Sequence, residues 1–144
     1  MKIIIAVDGS KSADACFDFI RANFNLSVVS DLILLTAVEG PSSDAVYIST
    51  ELTRDIAAQC DTLAAATLDR IAHLAKDAKF AKITRYVAHG RPQQVILDAV
   101  ESFKADLLVV GRQGRTAAAQ RVLMGSVSEF LVRNSPCTVA VVKM

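Results

Sequence analysis

Residues 31–38 read DLILLTAV, and six of these eight residues are hydrophobic. A strand with one face in water alternates hydrophobic and polar residues, whereas a strand covered by helices on both faces is hydrophobic almost throughout. Both faces are covered mainly in parallel sheets. The segment therefore predicts a buried strand of a parallel sheet.

The segments on either side of it alternate between strand and helix patterns. Residues 2–7, KIIIAV, form a second hydrophobic run that ends in the turn formers DGS, with Ser10 placed to cap a helix. Hydrophobic residues then recur every three or four positions over residues 11–24, as in an amphipathic helix. Predicted strands lie at 2–7, 31–38, 82–88, 106–110 and 137–142, and predicted helices at 11–24, 50–77, 93–103 and 125–134.

This order predicts an α/β fold with one doubly wound, five-stranded parallel sheet sandwiched by four helices. Residues 39–49 are rich in turn formers and have no period, so we expect a surface loop there. On the long helix, one side is expected to carry the large hydrophobic residues Leu52, Ile56, Leu63, Leu68, Ile71 and Leu74.

Length and composition limit the class of protein. The 144 residues fit a single domain, 1–144, and a hydrophobic content of 52% is too high for a disordered chain. The hydrophobic runs stop after about eight residues, which is too short to cross a membrane, and the first is shorter than a signal-peptide core. We therefore expect a cytoplasmic protein with no membrane partner.

Charge and cysteine content exclude further classes. Sixteen basic and fifteen acidic side chains give a net charge of +1, so no nucleic-acid partner is expected. Cys16, Cys60 and Cys137 form no CxxC pair, and no histidine stands at metal-ligand spacing from them. We expect three reduced cysteines that act as small, mostly buried hydrophobic residues, and no metal site.

The clearest sign of a binding site is the glycine-rich loop, GRQG at 111–114 followed by GSVSE at 125–129. Glycines let backbone N–H groups approach an anion, and a helix N-terminus carries about half a positive charge. Arg112, Arg115 and Arg121 add charge to the same loop. Ligands of doubly wound sheets bind at the carboxyl ends of the strands where the strand order reverses, which predicts a phosphate site after Val7 and Val110.

Each of these features also has a purely structural interpretation. Ser126 and Glu129 fit a capping box, Gly111 fits a strand-exit turn, and loop arginines are often only solvated. Asp8, at the end of the first strand, can cap the following turn instead of contacting a ribose. Taken alone, the glycines are a weak signal of a binding site, and the residues favour the capping interpretation of Asp8.

Five segments together resemble the universal stress protein family. They are IIAVDGS at 4–10, GRP at 90–92, LLVVGRQG at 107–114, GSVSE at 125–129 and PCTVAVV at 136–142. The ATP-binding branch of that family carries G-x2-G-x9-G-S/T, and this chain has G-x2-G-x10-G-S, with the extra residue within 116–119. The resemblance implies a sheet like that of the adenine nucleotide alpha hydrolases, with strand order 3-2-1-4-5.

The resemblance implies ATP, with or without Mg²⁺, as the ligand. The residues that it places around the nucleotide are Ala6, Val7, Asp8, Val38, Val110, Gly111, Arg112, Gly114, Gly125, Ser126 and Val127. Those after the first strand would meet the ribose and the base, and Val38 would read adenine through its backbone. Those of the glycine loop would border the ribose and phosphates, and the helix start would present hydrogen-bond donors.

The resemblance also implies a homodimer formed through the last strand, Thr138 to Val142. A bare hydrophobic edge strand invites such pairing. The first functional hypothesis is a stress or signalling factor in which ATP fixes the glycine loop and shifts a surface seen by an unknown protein partner. The second is a dimeric interaction protein that works without nucleotide.

An enzyme that consumes ATP is the third hypothesis. GSKS at 9–12 lacks the leading glycine of GxxxxGK[ST], and no GxGxxG follows the first strand. His73 and His89 have no nucleophile at a fitting spacing, and Asp8 alone is thin support for a metal-holding or basic role. We expect no catalytic residue and, at most, slow ATP hydrolysis.

Overall fold

The computed structural model describes residues 1–8, 12–39, 50–112 and 124–143, and only the backbone over 50–53. Five strands form one parallel sheet in the order β3-β2-β1-β4-β5. The strands are β1 (Lys2–Ala6), β2 (Asp31–Val38), β3 (Ile83–His89), β4 (Leu107–Gly111) and β5 (Thr138–Val142). The helices are α1 (Ser12–Asn23), α2 (Thr50–Asp77), α3 (Pro92–Phe103) and α4 (Ser126–Asn134).

These elements confirm the predicted fold class and strand order. No end of a strand or helix differs from its predicted position by more than one residue. A short 3₁₀ turn at Leu26–Val28, ahead of β2, was not predicted. The predicted cap Ser10 and all of the predicted loop 39–49 except Glu39 lie outside the described residues.

Helices cover both faces of the sheet, which explains why the inner strands β1, β2 and β4 are almost entirely hydrophobic, whereas the edge strand β3 is not. Ile3 and Ile5 of β1 belong to a core shared with α1 and α2, whereas Ile4 belongs to a core shared with α3 and α4. All three isoleucines are 0% exposed. Successive residues of a strand point to opposite faces, so a strand buried on both faces has few positions for a polar residue.

The hydrophobic side predicted for α2 is only partly correct. Leu68 and Ile71 are buried, but Ile56, Leu63 and Leu74 are 38%, 52% and 40% exposed, and the side chain of Leu52 is not among those described. The buried face consists instead of Ala64, Leu68, Ile71, Ala72 and Ala75. At 1.5 Å per residue, the 28 residues of α2 are about 42 Å long, whereas a strand of eight residues is about 26 Å, so the helix extends past the sheet.

Among the helices of the described part of the chain, none combines the length and the apolar character that crossing a bilayer requires.

Candidate functional site

The strand order reverses between β1 and β4, which lie side by side in the middle of the sheet. Their register pairs Ile5 with Val109, so the chain leaves both strands at the same edge. The helix that follows β1 packs on one face of the sheet, and the helix that follows β4 packs on the other. This divergence opens a crevice at the carboxyl edge, as in other doubly wound sheets. It brings Ala6, Val7 and Asp8 beside Val110, Gly111 and Arg112.

The end of β1 is fixed by backbone and hydroxyl contacts from β2. The Val7 N–H donates to the Leu35 carbonyl at 2.7 Å, and Thr36 Oγ1 donates to the Val7 carbonyl at 2.6 Å. Asp8 follows, half-buried, and its Oδ1 is 3.5 Å from Ser12 Oγ at the start of α1. Asp8 therefore has a structural contact with α1, and its carboxylate lies next to the crevice.

The end of β2 is fixed by Gly90. The Gly90 N–H donates to the carbonyl of Val38 at 3.0 Å, so the backbone expected to read adenine already holds one bond. Gly90 has φ +140°, and a Cβ at this position would lie 2.9 Å from Val95 Cγ1. Only glycine tolerates both conditions. Pro92 is the first residue of α3, a position that favours proline. The structure thus explains both the glycine and the proline of the GRP segment.

The glycine loop is closed where it leaves β4 and where it enters α4. The Arg112 N–H donates to Val142 of β5 at 2.9 Å, and the Arg112 carbonyl accepts from the Gly125 N–H at 2.8 Å. The same carbonyl lies 3.2 Å from Ser128 Oγ, which is also 2.9 Å from the Gly125 carbonyl. The two ends of the loop are thus held together, whatever the length of chain between them.

The start of α4 differs from the predicted capping box. Gly125, with an extended backbone, is the N-cap, and it has no side chain with which to cap the helix. Ser126 is the first helical residue, and Glu129 accepts a hydrogen bond from Arg133 Nη2 at 2.8 Å. The capping-box interpretation is wrong because the capping position is taken by a residue without a side chain. The N–H groups of the first turn of α4 are therefore not used by a side-chain cap.

The thiol of Cys16 lies beneath this edge on the buried face of α1 and is 0% exposed. Burial, and then the charge of Asp8, raise its pKa from 9.0 to about 12. Cys60 and Cys137 are half-buried, and all three cysteines are free, as predicted. Among the described residues, no group of three His, Cys, Asp or Glu side chains could hold a metal ion.

The profile of the universal stress protein family matches residues 1–143. The chain belongs to this family. Two curated relatives agree: a universal stress protein of Methanocaldococcus jannaschii is 42% identical over 62 residues, covering 43% of this chain and 36% of that protein. A putative universal stress protein of Staphylococcus aureus is 29% identical over 147 residues, covering 98% of this chain and 82% of the relative.

Solved structures share the fold of this universal stress protein. The structure of MJ0577, a hypothetical protein in a structural-genomics test case, has a TM-score of 0.84 at 24% identity and covers 99% of this chain and 95% of its own. A universal stress protein in complex with cAMP has a TM-score of 0.72 at 28% identity, with coverages of 99% and 96%. A family member of Arabidopsis thaliana with AMP bound has a TM-score of 0.72 at 22% identity, with coverages of 99% and 91%.

Of the residues predicted for the site, Gly114, Arg115 and Arg121 lie outside the described residues. Three other residues, Thr36, Ser128 and Gly90, were assigned no role at this edge by the sequence analysis. Thr36 and Ser128 are polar yet only 5% and 3% exposed. The GRP segment includes Gly90 but does not indicate its hydrogen bond to the end of β2. Thr36 had a signal, since it is the one hydroxyl within an otherwise hydrophobic buried run, whereas the role of Ser128 depends on contacts far apart in sequence.

Proposed function

We propose that this universal stress protein binds ATP at the carboxyl ends of β1 and β4 and acts as a nucleotide-responsive dimer in a stress or signalling response. The observation that carries the proposal is the closed glycine loop, in which Gly125 N–H and Arg112 O are 2.8 Å apart. This bond places the uncapped start of α4 directly beside the end of β4.

The first turn of α4 fits an anion. Its N–H groups are free of a side-chain cap, since the N-cap is Gly125. A helix start with unused N–H groups is favourable for a phosphate, and a glycine at the cap lets the phosphate approach closely. Ser126 and Val127 are the first two residues of α4, and N–H groups in the first turn of a helix point out of its N-terminus with no acceptor inside the helix.

The remaining contacts follow from the strand ends. Asp8 would accept hydrogen bonds from the ribose hydroxyls, with Ala6 and Val7 beside the base and Val38 reading adenine through its backbone. Arg112 and Gly114 would border the phosphates, with Val110 and Gly111 at the ribose. The nucleotides in the cAMP and AMP complexes of related proteins support an adenine nucleotide as the ligand class. Mg²⁺ would enter with the phosphates of ATP.

The longer loop is compatible with this proposal. The extra residue lies within 116–119, between the two ends that the Arg112–Gly125 bond holds together. The positions of Gly111, Gly125 and Ser126 therefore do not depend on the spacing of ten residues. The same spacing is the one departure from the family's motif that favours the second candidate, a dimer that works without nucleotide.

Dimer formation through β5 is the second half of the proposal. This strand pairs only with β4 and so leaves one edge of the sheet open among the described residues. Its last residue, Val142, accepts the Arg112 N–H. The peptide unit that opens the glycine loop is thus bonded to the strand through which the partner would pair, which provides a route from nucleotide to dimer.

Nucleotide extraction tests the proposal. Protein purified without added nucleotide is denatured, and the released small molecules are identified by mass spectrometry. We expect ATP from the wild type and none from Gly114→Val, whose β-branched side chain would block the motif. A folded dimer that releases no adenine nucleotide would favour the nucleotide-free candidate.

A further inference from the structure

Of the buried hydroxyl groups at the carboxyl edge of the sheet, those of Thr36 and Ser128 are bonded to backbone carbonyls, one at each half of the site. Thr36 Oγ1 is bonded to the end of β1, and Ser128 Oγ to the two ends of the glycine loop. Both residues are hidden from solvent, so neither side chain is free to contact a ligand. Burying a hydroxyl is unfavourable unless it is hydrogen-bonded. In both residues the hydroxyl donates to a backbone carbonyl at the rim of the crevice.

We propose that Thr36 and Ser128 are positioning residues that set the two halves of the nucleotide site independently. Thr36 sets the ribose and base half by fixing Val7. Ser128 sets the phosphate half by fixing Arg112 against Gly125. This inference rests on the proposed ATP binding. It adds that two residues without ligand contact each fix a different half of the site.

The contacts of Ser128 explain why its hydroxyl matters. The Arg112 carbonyl has two lone pairs, and these are used by the Gly125 N–H at 2.8 Å and by Ser128 Oγ at 3.2 Å. Ser128 Oγ also lies 2.9 Å from the Gly125 carbonyl, so one hydroxyl proton is shared between the two ends of the loop. Ser128→Ala removes this bridge without adding volume.

The contacts of Thr36 act on the other half. Its hydroxyl donates to the Val7 carbonyl at 2.6 Å, while the Val7 N–H is bonded to Leu35. Both backbone groups of Val7 are therefore bonded to β2. The peptide unit that leads into Asp8 is fixed by the bond from the Thr36 hydroxyl. Thr36→Val keeps the shape of the side chain and removes only the donor. Neither hydroxyl is bonded to the residues that the other one holds.

The test compares dissociation constants for adenosine, AMP, ADP and ATP by calorimetry. We expect Ser128→Ala to weaken ATP binding by about tenfold, AMP less, and adenosine not at all, because its effect acts on the phosphates. We expect Thr36→Val to weaken all four ligands by one common factor of about tenfold. A general loss of stability in Ser128→Ala would weaken all four ligands equally; for Thr36→Val, the unchanged binding of the control variants and local amide exchange at Val7 separate positioning from such a loss.

Matched controls remove hydroxyl–carbonyl bonds elsewhere. Ser30→Ala deletes a 3.0 Å bond to the Met1 carbonyl at the opposite edge of the sheet, and Thr67→Val deletes a 2.9 Å bond within α2. Both should leave every ligand unchanged. Ser128→Thr keeps the hydroxyl and should restore ATP binding. Equal losses for all four ligands in Ser128→Ala, or no loss in either variant, would overturn the proposal.

A second readout separates this proposal from ATP binding itself. Amide hydrogen exchange in the absence of nucleotide should be faster at Gly125 in Ser128→Ala and faster at Val7 in Thr36→Val, with no effect of either variant at the other site. If the wild type binds no nucleotide but these local effects are found, the proposed function fails and the positioning roles stand. If exchange is unchanged at both amides, the positioning roles fail.

Discussion

At the scale of single residues, the buried thiol of Cys16 is affected both by the core around it and by Asp8 of the candidate site. Its pKa is raised to about 12, first by burial and then by the charge of Asp8. At neutral pH the thiol therefore keeps its proton, and its thiolate, the reactive form, is almost absent. Cys16 is a packing residue of the core.

This shift makes stability depend on alkaline pH. Between pH 9 and pH 12 the unfolded chain releases the Cys16 proton while the folded protein retains it, so stability is lost as the pH rises. From about pH 8 to about pH 10 we expect the wild type to lose about 1.4 kcal/mol more unfolding free energy than Cys16→Ala, measured by urea denaturation. Equal losses in the two proteins would show that the thiol titrates normally.

At the scale of elements, the glycine loop is defined by its ends. The bond between Arg112 and Gly125 fixes where the loop begins and where α4 starts. Deleting Ala118, which restores a spacing of nine residues, should therefore change the dissociation constant for ATP by about twofold at most. Calorimetric titration of the deletion variant beside the wild type measures this. A large gain in affinity on deletion would mean that the extra residue disturbs the site.

The edge strand β5 gives a prediction that depends on residue parity. Val142 directs its carbonyl toward β4, where it accepts the Arg112 N–H. Successive residues of a strand direct their backbone groups to opposite sides, so Ala140 faces β4 and Val139 faces the open edge. Val139→Pro removes a donor from the open edge only, and we expect a folded monomer in analytical ultracentrifugation.

Ala140→Pro is the matched contrast, because it removes a donor that faces β4. We expect this variant to lose stability by about 3 kcal/mol in denaturant unfolding. A Val139→Pro variant that remains a dimer would exclude pairing through β5.

The elements also show what the sequence could predict. Hydrophobic runs identified the three inner strands β1, β2 and β4 because a strand buried on both faces permits few polar residues, and DLILLTAV is the clearest case. The burial of α2 was harder to predict, since a period of 3.6 residues does not reveal where the sheet beneath a helix ends. The exact direction of the buried face is a second difficulty: Leu63 is exposed and the neighbouring Ala64 is buried, because successive helical residues point about 100° apart.

The site was predictable only where a short motif carries it. GRQG and GSVSE indicated the glycine loop, but the partners of Arg112 are Val142, Gly125 and Ser128, and no local pattern pairs these residues. The capping box failed because one position decides it: the helix begins at Ser126, so Gly125 is the cap. Such contacts depend on tertiary structure, which sequence periodicity does not record.

At the scale of the whole molecule, the nucleotide site and the dimer edge meet at one residue, Arg112. The Arg112 carbonyl accepts from Gly125 and so closes the glycine loop, and the Arg112 N–H donates to the edge strand β5. If ATP and a second protomer both favour the same arrangement of Arg112, each must strengthen the binding of the other by the same factor. The reciprocity distinguishes a nucleotide-responsive dimer from a dimer that happens to bind nucleotide.

The most direct test of the central claim is a calorimetric titration of the nucleotide-stripped protein with ATP. The account predicts one class of sites with a dissociation constant in the micromolar range, equivalent to about −8 kcal/mol, and no binding by Gly114→Val. Absence of heat on adding ATP to folded, dimeric wild-type protein would contradict the account and identify the family fold here as a nucleotide-free interaction module.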